Sequence, residues 1–225
     1  MAASRQHVRA PSAARGEQPM AGGERTSTYG DGRPVGAVVA MYGLAGAAAA
    51  GLSMAFGHNP LECAGWLGAR GAASLLFSLG LGVPLGATTI AATRVMVRRT
   101  AWAHALHVAL RPAVAGATDA ALFAIASASA VGEELLFRGL LVPIIGIFAS
   151  SLVFGLLHQV RGRARWGWAA WATIMGLAFA TIYAATGSLA GPILAHAAIN
   201  HANLRFLRDT DPSPRKRPLG GLLRR

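Results

Sequence analysis

Long stretches without a formal charge set the terms for this chain of 225 residues. Val35 to Gly57 and Gly71 to Thr93 are each 23 residues free of Asp, Glu, Lys and Arg, and after Trp166 the next charge is Arg205. About 20 apolar residues at 1.5 Å rise per residue cross a hydrocarbon core roughly 30 Å thick. The first two runs therefore predict one membrane span each, and the third is long enough for two. Charged residues make up 13% of the chain and hydrophobic ones 53%. That is well below the roughly one quarter charge usual for a globular domain, too little to cover a water-soluble surface. A disordered basic protein is excluded by the same apolar content.

The expected fold is an all-α multi-pass transmembrane helical bundle of about six spans, near 35–56, 72–93, 114–140, 144–160, 166–186 and 189–207. Residues 1–34 and 208–225 read as disordered basic tails, 35–112 as two spans with a basic connecting loop, and 113–207 as a core of four spans. No apolar core of a secretory signal stands in 1–34. Pro143 is expected to break the apolar stretch between the third and fourth spans, and Thr186-Gly187-Ser188 to turn the chain before the sixth. Small residues four apart, Gly43, Ala47 and Gly51 in the first span and Gly82 and Gly86 in the second, predict close helix approach. Cys63 is the only cysteine, so there is no disulfide and no thiolate metal cluster.

The 21 basic residues against 9 acidic ones leave a net charge of +12. Six spans put nineteen of the 21 on one side: the N-terminus, the 94–111 and 161–165 loops and the C-terminus. The positive-inside rule then predicts a plasma-membrane protein with both termini cytoplasmic, with anionic lipid as partner of the basic tails. No motif supports nucleic-acid binding.

Ionisable groups inside spans are costly and mark function. Glu133, Glu134 and Arg138 stand together in Gly-Glu-Glu-Leu-Leu-Phe-Arg-Gly. Glu134 and Arg138 are four apart, acid first, the favourable order for an ion pair on one helix face. Glu133 is rotated by about 100° and left free. The fourth span carries Phe154 and His158, and the sixth His196, Asn200 and His201. A carboxylate and an imidazole converging on one water would make it a nucleophile, and a second imidazole with an amide could stabilise an oxyanion. These are the parts of a peptide-bond hydrolase. Asp119 reads as an interfacial residue, His104 and His107 as part of an amphipathic stretch, and His201 as pointing away from Asn200.

Glu133-Glu134-x-x-x-Arg138, Phe154-x-x-x-His158 and His196-x-x-x-Asn200, in that order on three spans, resemble the three motifs of the CPBP intramembrane proteases, which include the CAAX prenyl endopeptidases and bacterial Abi-type proteins. The resemblance covers roughly 115–205. It implies that Glu133 and His158 activate water, that Glu134 and Arg138 brace the site, that His196 and Asn200 form the oxyanion hole, and that Phe154 packs beside them. The implied substrate is a peptide or protein at the membrane. No metal or other cofactor is assigned; zinc on Glu133, His158 and His196 is the minority alternative. A non-proteolytic scaffold or immunity-type protein, or an ion-coupled transporter, are the rival readings. Two tensions stand in the spacing. A fourth helix starting near Ile144 would carry His158 about 9 Å past the level of Glu133, so a late start near Phe148 is expected. The position of His196 early in its span also opens the site towards the sparsely charged side, whereas a CAAX endopeptidase works from the cytosolic face.

Overall fold

The computed structural model describes residues 33–212, so the expectations for 1–32 and 213–225 lie outside it. The described residues form α1 (Arg33–Ala55), α2 (Ala72–Arg99), α3 (Ala101–Val114), α4 (Asp119–Glu134), a π-helical segment (Leu135–Leu141), α5 (Val142–Leu157), α6 (Arg165–Thr186) and α7 (Ala190–Asp209). Among them the only β pairing is a single bridge between Glu62 and Ser188. The chain is an all-α membrane helical bundle. Four helical stretches, Val35–Ala55, Ala72–Arg99, Asp119–Leu157 and Arg165–Thr186, are long and apolar enough to cross a membrane. Where a basic loop was expected before the third span, α3 forms instead. It turns Ala103, Leu106, His107 and Val114 inward and is amphipathic, as the reading of His104 and His107 implied.

The stretch Asp119–Leu157 cannot run straight. Residues 133 and 158 would then stand about 37 Å apart at 1.5 Å per residue, yet Glu133 Oε2 lies 4.0 Å from His158 Nε2. The chain folds back at Gly146, whose φ of 81° and ψ of 171° fall in a region essentially restricted to glycine. The returning arm therefore starts at Ile147, one residue from the late start the spacing called for. Pro143 is not the breaking residue. It sits at the start of α5, where its missing N–H is tolerated. The Gly139 carbonyl, one α-turn earlier, accepts a 2.8 Å hydrogen bond from Ser53 Oγ of α1.

Helix contacts follow the small residues, with one correction. A Cβ on Gly82 would lie 2.5 Å from the Gly191 carbonyl oxygen, and one on Gly86 3.5 Å from Ala195, so the α2 stripe is a close approach and its partner is α7. In α1, however, Gly43, Ala47 and Gly51 are exposed. The packed face is Tyr42, Gly46, Ala49 and Ser53, and Gly46 lies against the Gly132 backbone of α4. Both stripes have helical spacing; only the partner decides which one is turned inward.

One end of the bundle is tied together by backbone hydrogen bonds. Cys63 N–H donates to Gly187 O, Trp66 N–H to Ala184 O and Leu67 N–H to Ala185 O, each at 2.9 Å, and Leu189 N–H donates to Leu61 O at 3.1 Å. These bonds satisfy carbonyls left free at the end of α6. The turn there uses Gly187 in the left-handed region, φ 78°, as Thr-Gly-Ser predicted. The opposite end gathers Arg98, Arg99, Arg111, Arg205 and Arg208.

Candidate active site

Glu133 and Glu134 close α4, and the π-helical segment that follows carries Arg138. Such segments recur at functional sites. Arg138 Nη1 donates to Glu134 Oε1 at 3.0 Å, with both side chains buried, and Nη2 donates to the Gly176 carbonyl of α6, also at 3.0 Å. The guanidinium also lies 4.7 Å from the Phe154 ring centre and 5.3 Å from that of Phe179. Of the two acids, Glu134 is the one bonded to Arg138.

His196 enters from α7. Its Nδ1–H donates to Glu134 Oε1 at 2.8 Å and its ring stacks on Phe179 at 5.2 Å. His158 ends α5. Its Nδ1–H donates to the Phe154 carbonyl at 2.7 Å, and the ring is flanked by Phe154 at 4.3 Å and Trp168 at 5.5 Å. With each Nδ1 carrying its hydrogen, the neutral ring presents Nε2 as an acceptor. Both Nε2 atoms face Glu133 Oε2, at 4.0 Å from His158 and 3.6 Å from His196. Both distances are too long for direct hydrogen bonds, and Oε2 is buried without a partner. Three acceptors thus surround one small volume, where a water molecule could give its two hydrogens to two of them. The cavity beside them, lined by Phe154, His158, His196 and Asn200, is about 50 Å³; one water needs about 10–15 Å³.

Asn200, one turn beyond His196, gives one amide hydrogen to Ser129 Oγ of α4 at 3.0 Å, which leaves its second for a ligand. The structure thus brings Glu133, Glu134, Arg138, Phe154, His158, His196 and Asn200 together. Asp119 stands apart at the basic end, 2.8 Å from Arg208 and 3.6 Å from Arg205. His201 turns instead to Phe123. As zinc ligands, Glu133, His158 and His196 are spread too widely: bonds of about 2.0–2.1 Å in a tetrahedron place ligand atoms roughly 3.3 Å apart. No group of three His, Cys, Asp or Glu among the described residues is arranged to hold a metal ion.

Four site residues escaped the sequence reading. Ser129 precedes Glu133 by four residues on the same face, a signal that was present. Tyr42 is the one aromatic hydroxyl in the first span, and it packs on Gly132, the residue before Glu133. Gly176 and Phe179 carried no signal.

Fold and site together define a membrane helical bundle with a carboxylate–imidazole centre enclosed in its interior. Residues 117–202, the segment holding all three motifs, match the family model described as Type II CAAX prenyl endopeptidase Rce1-like. The family that the motifs resemble is the family this segment matches, a family of CAAX-type proteases. No curated protein and no solved structure matches the chain.

Proposed function

We propose that the chain is an intramembrane endopeptidase that hydrolyses a peptide bond of a membrane-associated substrate by a water held among Glu133 Oε2, His158 Nε2 and His196 Nε2. The observation that carries this reading is the buried, unpartnered Glu133 oxygen facing two imidazole acceptors. Glu133 takes one proton from the water as its oxygen attacks the scissile carbonyl, and returns that proton to the departing amine. His158 accepts the water's second hydrogen and so aims its lone pair. The free amide hydrogen of Asn200 meets the oxyanion. His196 can join as a second donor only as imidazolium, because its Nδ1–H is already given to Glu134. Glu134 and Arg138 fix that ring.

Access is from the basic end. The arm after Gly146 has about 11 residues, or roughly 16 Å, half the thickness of a hydrocarbon core. It ends at His158, and the exposed Arg161 and Arg163 follow within five residues. At the other end the 61–67 segment is bonded to the end of α6. With the termini cytoplasmic, the site would open to the cytosol. The short arm supports access from this side, against the position of His196 early in α7. A neighbouring apolar cavity of about 80 Å³ shares Trp168 and Trp171 with the site, enough for a single aliphatic side chain of the substrate. Anionic lipid beneath the basic end would hold the protein's level in the bilayer.

Purified protein in detergent, tested against a peptide library, decides the matter. Glu133→Gln and His158→Ala are each expected to lower cleavage by about 10²–10⁴-fold with the fold retained. A parent chain that cleaves nothing would leave the non-proteolytic scaffold, and loss of activity with a chelator would restore the zinc reading.

A further inference from the structure

Around the water volume, the two imidazoles and the Glu134 behind them are fixed by neighbours within the matched segment. His196 is held by Glu134 and Phe179, His158 by the Phe154 carbonyl and two rings, and Glu134 by Arg138. Glu133 is the exception. The two imidazoles stand beyond hydrogen-bond length from its Oε2, and the hydrogen bonds of Arg138 run to Glu134 and Gly176 rather than to Glu133. A carboxylate on a free side chain would rotate and lose its aim, at a cost in rate out of proportion to the displacement.

The constraint comes from α1, outside the matched segment. Tyr42 sits where α1 presses on the backbone immediately before Glu133: a Cβ on Gly132 would lie 2.5 Å from the Tyr42 carbonyl oxygen and 3.2 Å from its Cβ. A second close approach, Gly46 on Gly132 and Leu135, fixes the same contact one turn further along. The Tyr42 phenol is thereby placed as an electrostatic neighbour of the Glu133 carboxylate. We propose that Tyr42 is the positioning residue of Glu133: its phenol holds one carboxylate oxygen so that the other, Oε2, stays aimed at the water between His158 and His196.

This inference rests on the hydrolase reading, and the test separates the two. Tyr42→Phe keeps the ring that packs on Gly132 and removes only the hydroxyl. It is expected to lower kcat about tenfold, the worth of one charge-assisted hydrogen bond, with KM and the melting temperature unchanged. An unchanged kcat overturns the role. The contact itself is read without activity by ¹³C NMR of ring-labelled tyrosine, since the chain has only three tyrosines. The Tyr42 signal, assigned by its loss in Tyr42→Phe, should move in Glu133→Gln while that of Tyr183 stays in place. A Tyr42 signal that does not move overturns the contact. A parent that cleaves nothing overturns the hydrolase reading and the positioning role with it, and the NMR arm still decides the contact.

Discussion

A single oxygen, Glu134 Oε1, accepts from both Arg138 and His196 in a space closed to solvent. Burying these charges is tolerable only while each is matched, and removing one partner leaves the other uncompensated. Glu134→Gln is therefore expected to lower unfolding stability by about 3–5 kcal/mol, read by thermal unfolding in detergent. The apolar pair Glu134→Leu with Arg138→Met should regain most of that stability without regaining cleavage. At Asn200 the order of effects is testable. Asn200→Ala removes an oxyanion donor and should cost about 10²–10³ in kcat, whereas Ser129→Ala only frees the amide and should cost less. Kinetics in which the two variants are equal would sink the oxyanion role. The division between Glu133 and Glu134 was legible because 100° per residue fixes which acid meets Arg138. Tyr42 was not, because its partner lies 91 residues away and no local pattern encodes that meeting.

Elements were legible in existence and length, less so in orientation. All six expected spans have a helix within a few residues, since apolar run length and turn residues are local properties. The face each presents is not: α1 carries two interleaved small-residue stripes, and the one with the better four-residue spacing is exposed. The fold-back was half legible. Comparing the depths of Glu133 and His158 demanded a late start for α5, but Pro143 drew the break three residues too early. Gly146→Ala places a Cβ in a backbone region that L residues avoid, for about 1–3 kcal/mol. Because His158 depends on that turn, the variant is expected to lose cleavage further than its melting temperature falls. Equal, modest loss of both would mean that the arm finds its place without the glycine.

At the level of the whole molecule, the two ends differ in kind: one basic, the other tied by backbone bonds and holding Arg70 and the single cysteine. Cys63 is exposed, which makes it a natural topological marker. A membrane-impermeant maleimide applied to intact cells should label it if the basic end is cytoplasmic; labelling only after lysis would invert the orientation and the direction of access. Partial burial raises the thiol above its ordinary value of 9.0. Less thiolate is then present at neutral pH than for a free thiol, so the labelling rate should be slow at pH 7 and still climb above pH 9.

The reversal at Gly146 also bears on how the chain is made. Read as it emerges, Asp119–Leu157 is a strongly apolar stretch of 39 residues, and insertion machinery that took it as a single pass would deliver everything after it with inverted parity. α6 and α7 would then enter from the wrong side, with His196 and Asn200 facing away from Glu133. Correct assembly therefore depends on one glycine being bent before the next helix is threaded, and the order of motifs along the chain is also an order of events.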